Sequence, residues 1–146
     1  MAKRKPLVNM TSYGIYNQWD AGSRELPKIR HITTSIPGEL DIEFGYIVNI
    51  KQAKNARLTY CIYHPDICDD SGQIMAPFEG REHVRTNDWH FYLGDTLWAP
   101  VETKTGPWRM TLSLDETLIA DKTFMVEAEA PYEGASFWRR GKLKFR

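Results

Sequence analysis

The chain alternates apolar and polar residues over most of its length, in steps of two. Ile42, Phe44, Tyr46, Val48 and Ile50 share one phase, with Glu43, Gly45, Ile47 and Asn49 in the other, the pattern of a strand with one face on a core. Trp108, Met110, Leu112 and Leu114 repeat it against Arg109, Thr111, Ser113 and Asp115. After a turn at Asp115-Glu116, Leu118, Ala120, Phe124 and Val126 keep a single phase. The two runs predict a hairpin at the centre of the fold. Strands are also predicted at Thr11–Asn17, His31–Ile36, Arg57–His64 and Trp89–Leu93. Trp98–Thr105 leads into the hairpin, and Pro65–Gly72 reads as an acidic loop. Gln73–Arg85 has no sustained period and is expected to be irregular. No segment offers three turns of helical period. Seven or so short strands between turn signals predict an all-β, single-domain, immunoglobulin-like sandwich, with Trp89 and Trp108 in its core.

Several local signatures occur in order along these strands: Tyr13-Gly14-Ile15-Tyr16, Phe44-Gly45-Tyr46, His64-Pro65, Glu102 ahead of Gly106-Pro107-Trp108, and Phe124-Met125-Val126. This ordered set, spanning about residues 11 to 127, resembles a bacterial family known as domain of unknown function 3859. The resemblance implies an immunoglobulin-type β-sandwich. It carries over no activity, cofactor or catalytic residue.

The 146 residues suffice for one domain that buries roughly 68–70% of its unfolded surface. The division expected is a basic N-terminal segment at 1–10, a sandwich at 11–129 and a basic segment at 130–146. The start has cations but no apolar stretch behind them, and no run approaches a membrane span, so a soluble, cytoplasmic protein is expected. Two cysteines, Cys61 and Cys68, are too few for a disulfide framework and are expected as free thiols.

Net charge is zero but unevenly placed. Lys3, Arg4 and Lys5 open the chain, and Arg139, Arg140, Lys142, Lys144 and Arg146 follow Phe137-Trp138. The body between them holds eleven Lys and Arg against nineteen acids, a formal charge of −8. Trp138, Arg139, Arg140, Lys142, Lys144 and Arg146 are therefore the candidate anion- or partner-binding residues. Their cations suit phosphates and their aromatics suit base stacking, so nucleic acid is one candidate partner; an anionic membrane surface or an acidic protein patch is another. The plainer expectation is a solubilising segment, or one that folds back on the acidic body of its own or a neighbouring subunit.

Candidate chemistry is sparse. Cys61, His64 and Cys68, with Asp69 and Asp70 beyond, offer soft and borderline metal ligands. On a strand, however, Cys61 and His64 point to opposite faces. A thiol nucleophile would pair Cys61 or Cys68 with His83 or His90. Glu102 with Asp95, or Asp66 with Asp69 and Asp70, are paired carboxylates better read as solvated surface. Trp19, Trp89, Trp98, Trp108 and Trp138 are the candidates for a stacking platform. No catalytic, metal or cofactor-binding residue is assigned and no cofactor is expected. The reading is a non-catalytic interaction or structural module with a protein partner or a second copy. The alternatives are anion or nucleic-acid binding through the basic ends, and a thiol- or metal-dependent enzyme at Cys61, His64 and Cys68.

Overall fold

The computed structural model describes residues 5–19, 22 and 25–128. Nine strands form there: β1 (Leu7–Tyr16), β2 (Ile29–His31), β3 (Ser35–Pro37), β4 (Glu43–Lys51), β5 (Arg57–Tyr63), β6 (Phe78–His83), β7 (Asp88–Thr96), β8 (Gly106–Leu114) and β9 (Thr117–Glu127). One sheet has the order β2-β1-β4-β7 and the other β3-β9-β8-β5-β6. The fold is the expected sandwich. It has nine strands rather than about seven because one predicted run divides into two short strands and one charged run also pairs.

The differences have local causes. The first strand begins at Leu7, so residues 7–10 pair with β4 inside the sheet. His31–Ile36 is not one strand: β2 joins one sheet and β3 the other, so the run switches layers. Phe78–His83 is a strand although expected to be irregular. It is an edge strand whose outward residues, Glu79, Arg81 and His83, are charged or polar, and whose inward Gly80 breaks the apolar period. A 3₁₀ turn at Val101–Lys104 precedes β8. In β9 the phase slips: the register shifts between Leu112 and Ser113, leaving Leu118 exposed while Ala120, Phe124 and Val126 stay buried.

The core lies between the sheets. Phe44, Tyr46, Val48 and Ile50 from β4 meet Trp108, Met110, Leu112 and Leu114 from β8. The predicted inward phases are therefore the observed ones. Phe44 makes edge-on contacts with Trp108 and Phe124, centroids 5.5 and 5.7 Å apart. The Tyr46 hydroxyl crosses the core to donate to the Met110 carbonyl at 2.9 Å. Trp108 is wholly buried, and its Nε1–H donates to the Lys104 carbonyl at 2.8 Å. Trp89, expected in the core, is only partly buried against it, on edge strand β7.

The outer face of β4 is also covered, which alternation alone did not indicate. Tyr16, Ile47 and Tyr92 cluster there under Trp19, with rings edge-on at 5.0–5.1 Å. Beneath them the buried Glu43 accepts hydrogen bonds from the Tyr92 hydroxyl at 2.5 Å and from the Thr96 hydroxyl. Gly94 makes room for the Tyr92 hydroxyl, which a Cβ there would meet at 2.1 Å, and Gly45 lets β4 approach the β7 backbone. The Gly45 φ is +156°, and a Cβ there would lie 2.1 Å from the Leu93 carbonyl oxygen, a clash with backbone that no rotamer relieves.

Trp108→Ala is expected to cost about 3–5 kcal/mol of unfolding free energy in urea titrations, as a large buried ring is lost. Trp108→Phe should cost less, about 1–3 kcal/mol, because packing is largely kept while the Lys104 carbonyl loses its donor.

Candidate functional site

The residues singled out in the sequence do not converge. Cys61 sits on the outward face of β5 opposite Glu79, while Leu58, Tyr60 and Ile62 point inward. His64, at the end of β5, turns to the inner side, its ring 4.5 Å from Phe78 and 5.9 Å from Trp108. Both its ring nitrogens lie within hydrogen-bond distance of carbonyls, those of Pro65 and Ala76. Cys68 is exposed in the β5–β6 loop. Among the described residues no group of three or more His, Cys, Asp or Glu is placed to hold a metal ion. Burial pushes the Cys61 thiol pKa up, away from a reactive thiolate. His83 lies four positions along β6 from Glu79, about 13 Å away at strand rise, and His90 belongs to the other sheet. Asp69 serves its own loop, accepting hydrogen bonds from the Ser71 and Gln73 amides. Trp138, Arg139, Arg140, Lys142, Lys144 and Arg146 lie outside the described residues.

The tryptophans are dispersed. Trp108 is core, Trp19 covers Tyr92, and Trp89 leans on Phe91. Trp98, 36% exposed, faces Phe78 at 6.3 Å and carries the Lys104 ammonium 4.3 Å from its ring centroid. Lys104 is itself 1% exposed and donates to the Pro100 carbonyl at 3.1 Å. Burial lowers its pKa. This cation closes the end of the sandwich and is satisfied within the chain.

What the fold does bring together is a cleft along one side of the sandwich, between the edges of β6 and β7. It encloses about 430 Å³. Inward-facing Tyr60 and Phe78 supply one wall and Phe91 and Leu93 the other, with Glu82 and Asp95 among the lining. The Tyr60 and Phe91 rings face each other across it, centroids 6.1 Å apart. A Cβ on Gly80 would stand 2.2 Å from the Tyr60 hydroxyl, so glycine there makes room for that ring. Glu82 lies 3.5 Å from Arg85 in an exposed ion pair. Asp95 accepts the Thr96 amide at 2.8 Å, and burial, with Glu43 adding repulsion, pushes its pKa up to about 6. The β6–β7 connection follows Glu82 at one end of the cleft, and Phe78 and Asp95 stand at the other, where Trp98 faces Phe78.

A second cavity of about 480 Å³ runs over the outer face of β5, β6 and β8, past Thr59, Thr111 and Ser113. Beside it Arg109 makes a two-pronged ion pair with Asp121 at 2.7 and 3.0 Å. Its lining is hydroxyl-rich and lacks facing apolar walls.

A family model described as a domain of unknown function (DUF3859) matches residues 4–126. The chain belongs to the DUF3859 family. The match covers the whole described sandwich from β1 almost to the end of β9, as the ordered signatures implied. No curated protein matches. Among solved structures, an immunoglobulin-like protein from Pseudomonas aeruginosa aligns with a TM-score of 0.68 at 22% identity, over 87% of this chain and 100% of that one. The immunoglobulin-like fold of this DUF3859 member rests on that similarity. A β-glucosidase from Listeria innocua, solved with glucose and with gluconolactone, aligns over 87% of this chain and 16% of its own, with a TM-score of 0.39 at 12% identity. That alignment carries no argument. Among the described residues no helix is long and apolar enough to cross a membrane.

The cleft was missed in the sequence because Gln73–Arg85 carries no apolar period. The Phe91/Leu93 alternation was the available signal for its other wall.

Asp95 sets a pH test. A carboxyl whose folded pKa is about 6, above its unfolded value near 3.9, binds its proton more tightly when folded. Its contribution to stability is present below about pH 4 and is lost as the pH rises to 6. Asp95→Asn is expected to abolish that decline, so that its stability relative to the parent rises by about 2–3 kcal/mol between pH 4 and 7 in denaturant titrations.

Proposed function

We propose that this chain is a non-catalytic binding module whose cleft takes an extended polypeptide segment carrying aromatic and cationic side chains. The observation that carries this reading is the β7 edge. Four strands end the two sheets. β2 and β3 have three residues each, and β6 bears Glu79, Arg81 and Glu82. β7 is nine residues long, carries Asp88, His90 and Asp95 but no Lys, Arg or Pro, and presents Trp89, Phe91 and Leu93. Proteins ordinarily blunt such an edge with charge or proline, or cover it. A partner strand added there would gain backbone hydrogen bonds from β7 and lodge alternate side chains between the aromatic walls.

Charge selects the partner. The charged residues that line the cleft are Glu82 and Asp95, with no Lys or Arg among them. A phosphate backbone is disfavoured at such a lining, and a cationic peptide is drawn to it. The raised thiol pKa of Cys61 and its separation from any histidine base support a module without catalysis. Two free cysteines fit a reducing, cytoplasmic setting.

The reading is tested by titrating the full chain with a labelled decapeptide holding two aromatic and five Lys or Arg residues, unrelated in order to any segment of this chain. Saturable binding is expected, weakened about tenfold or more by Phe91→Ala and abolished when the peptide's cations are replaced by Glu. Equal binding of both peptides, or none, would overturn it.

A further inference from the structure

We infer that residues 137–146 of this same chain are a ligand for the cleft between β6 and β7, so that the module is self-occupied until a competing segment displaces them. This rests on the binding reading above and names the occupant. The first ground is chemistry. Phe137-Trp138 is followed by Arg139, Arg140, Lys142, Lys144 and Arg146 with no acid among them, the complement of an aromatic cleft lined by Glu82 and Asp95. Alternation of Leu143 and Phe145 with Lys142, Lys144 and Arg146 suits a strand with one face in the cleft and the other in water.

The second ground is reach. Val126 pairs with Gly106, Met110 with Ile62, and Ile62 with Phe78. Ala128 therefore leaves the sheet at the same end of the sandwich as Phe78 and Asp95. From β9 to β6 there are three strand spacings, about 14 Å, and Ala128 stands six residues along β9 from Lys122, which is level with Phe78, about 20 Å, so the gap is about 24 Å. Residues 129–136 intervene before Phe137, and nine steps of extended chain span up to about 30 Å. The connection is longer than the gap it must cross, and short enough to give a high effective concentration.

The test uses the full chain with Phe137→p-benzoylphenylalanine. Irradiation is expected to give an intramolecular crosslink, mapped by mass spectrometry to the Phe78–Glu82 or Phe91–Asp95 region, and lost at high salt. In parallel, the unrelated cationic decapeptide is titrated into the parent chain and into a chain with Arg139→Glu, Arg140→Glu, Lys142→Glu and Lys144→Glu. Removing the internal competitor is expected to tighten peptide binding about tenfold. Equal affinity for both chains with no crosslink in the cleft overturns the self-ligand while leaving the binding module standing. No peptide binding to either chain overturns both. A crosslink found only in covalent dimers overturns self-occupation in favour of exchange between copies.

Discussion

The contact on which the rest depends is the edge-on packing of Phe44 against Trp108 and Phe124. It ties the central strand of one sheet to the central hairpin of the other. Large aromatic rings bring most of the buried area in such a core. Here they also set the spacing within which the Tyr46 hydroxyl meets the Met110 carbonyl. Trp108 adds a directional constraint, because its indole N–H fixes the Lys104 carbonyl and with it the turn that leads into β8. That turn seats the Lys104 ammonium over Trp98, so the end of the sandwich is closed by a buried cation held on one ring and one carbonyl. A polar group this deep is tolerable only because both partners are supplied by the same short segment.

Much of this was legible in the chain wherever period two was strong. Phe44 to Ile50 and Trp108 to Leu114 were assigned to the core by alternation, and they form it. The signal failed where a second demand was laid on the same residues. β4 is covered on both faces, and Glu43 is buried beneath Tyr92 and Thr96, an arrangement made by tertiary packing that no local pattern encodes. β6 escaped notice because its outward positions are charged and an inward one is glycine, the composition of a protected edge. The phase slip at Leu118 comes from a bulge, which a strict period of two cannot express.

The candidate site fared differently. Cys61, His64 and Cys68 are close in sequence and carry the side chains of a metal or thiol centre, but strand geometry sends Cys61 outward and His64 inward. Proximity along a strand is a poor guide to proximity of side chains, since neighbours of odd spacing oppose each other. The cleft has the opposite character. Its walls come from residues some thirty positions apart, Tyr60 and Phe91, and become neighbours only once two sheets have stacked.

Among the described residues β7 pairs only with β4, and its other edge ends the sheet. A strand that presents Trp89, Phe91 and Leu93 along an opening, with no Lys or Pro to repel another strand, is a liability unless something covers it. The other edges are short, as in β2 and β3, or charged at most of their outward positions, as in β6, whereas β7 is long and holds its carboxylates, Asp88 and Asp95, near its two ends. Glycine at position 80 reinforces the point, since the space it leaves is filled by the Tyr60 ring that lines the opening. Asp95 is the cost of that arrangement: its carboxyl is held where ionisation is unfavourable, with its pKa pushed up to about 6. A cation brought into the cleft would offset that penalty by supplying the missing countercharge. The same group that destabilises the empty sandwich at neutral pH thus favours a cationic occupant over a neutral one.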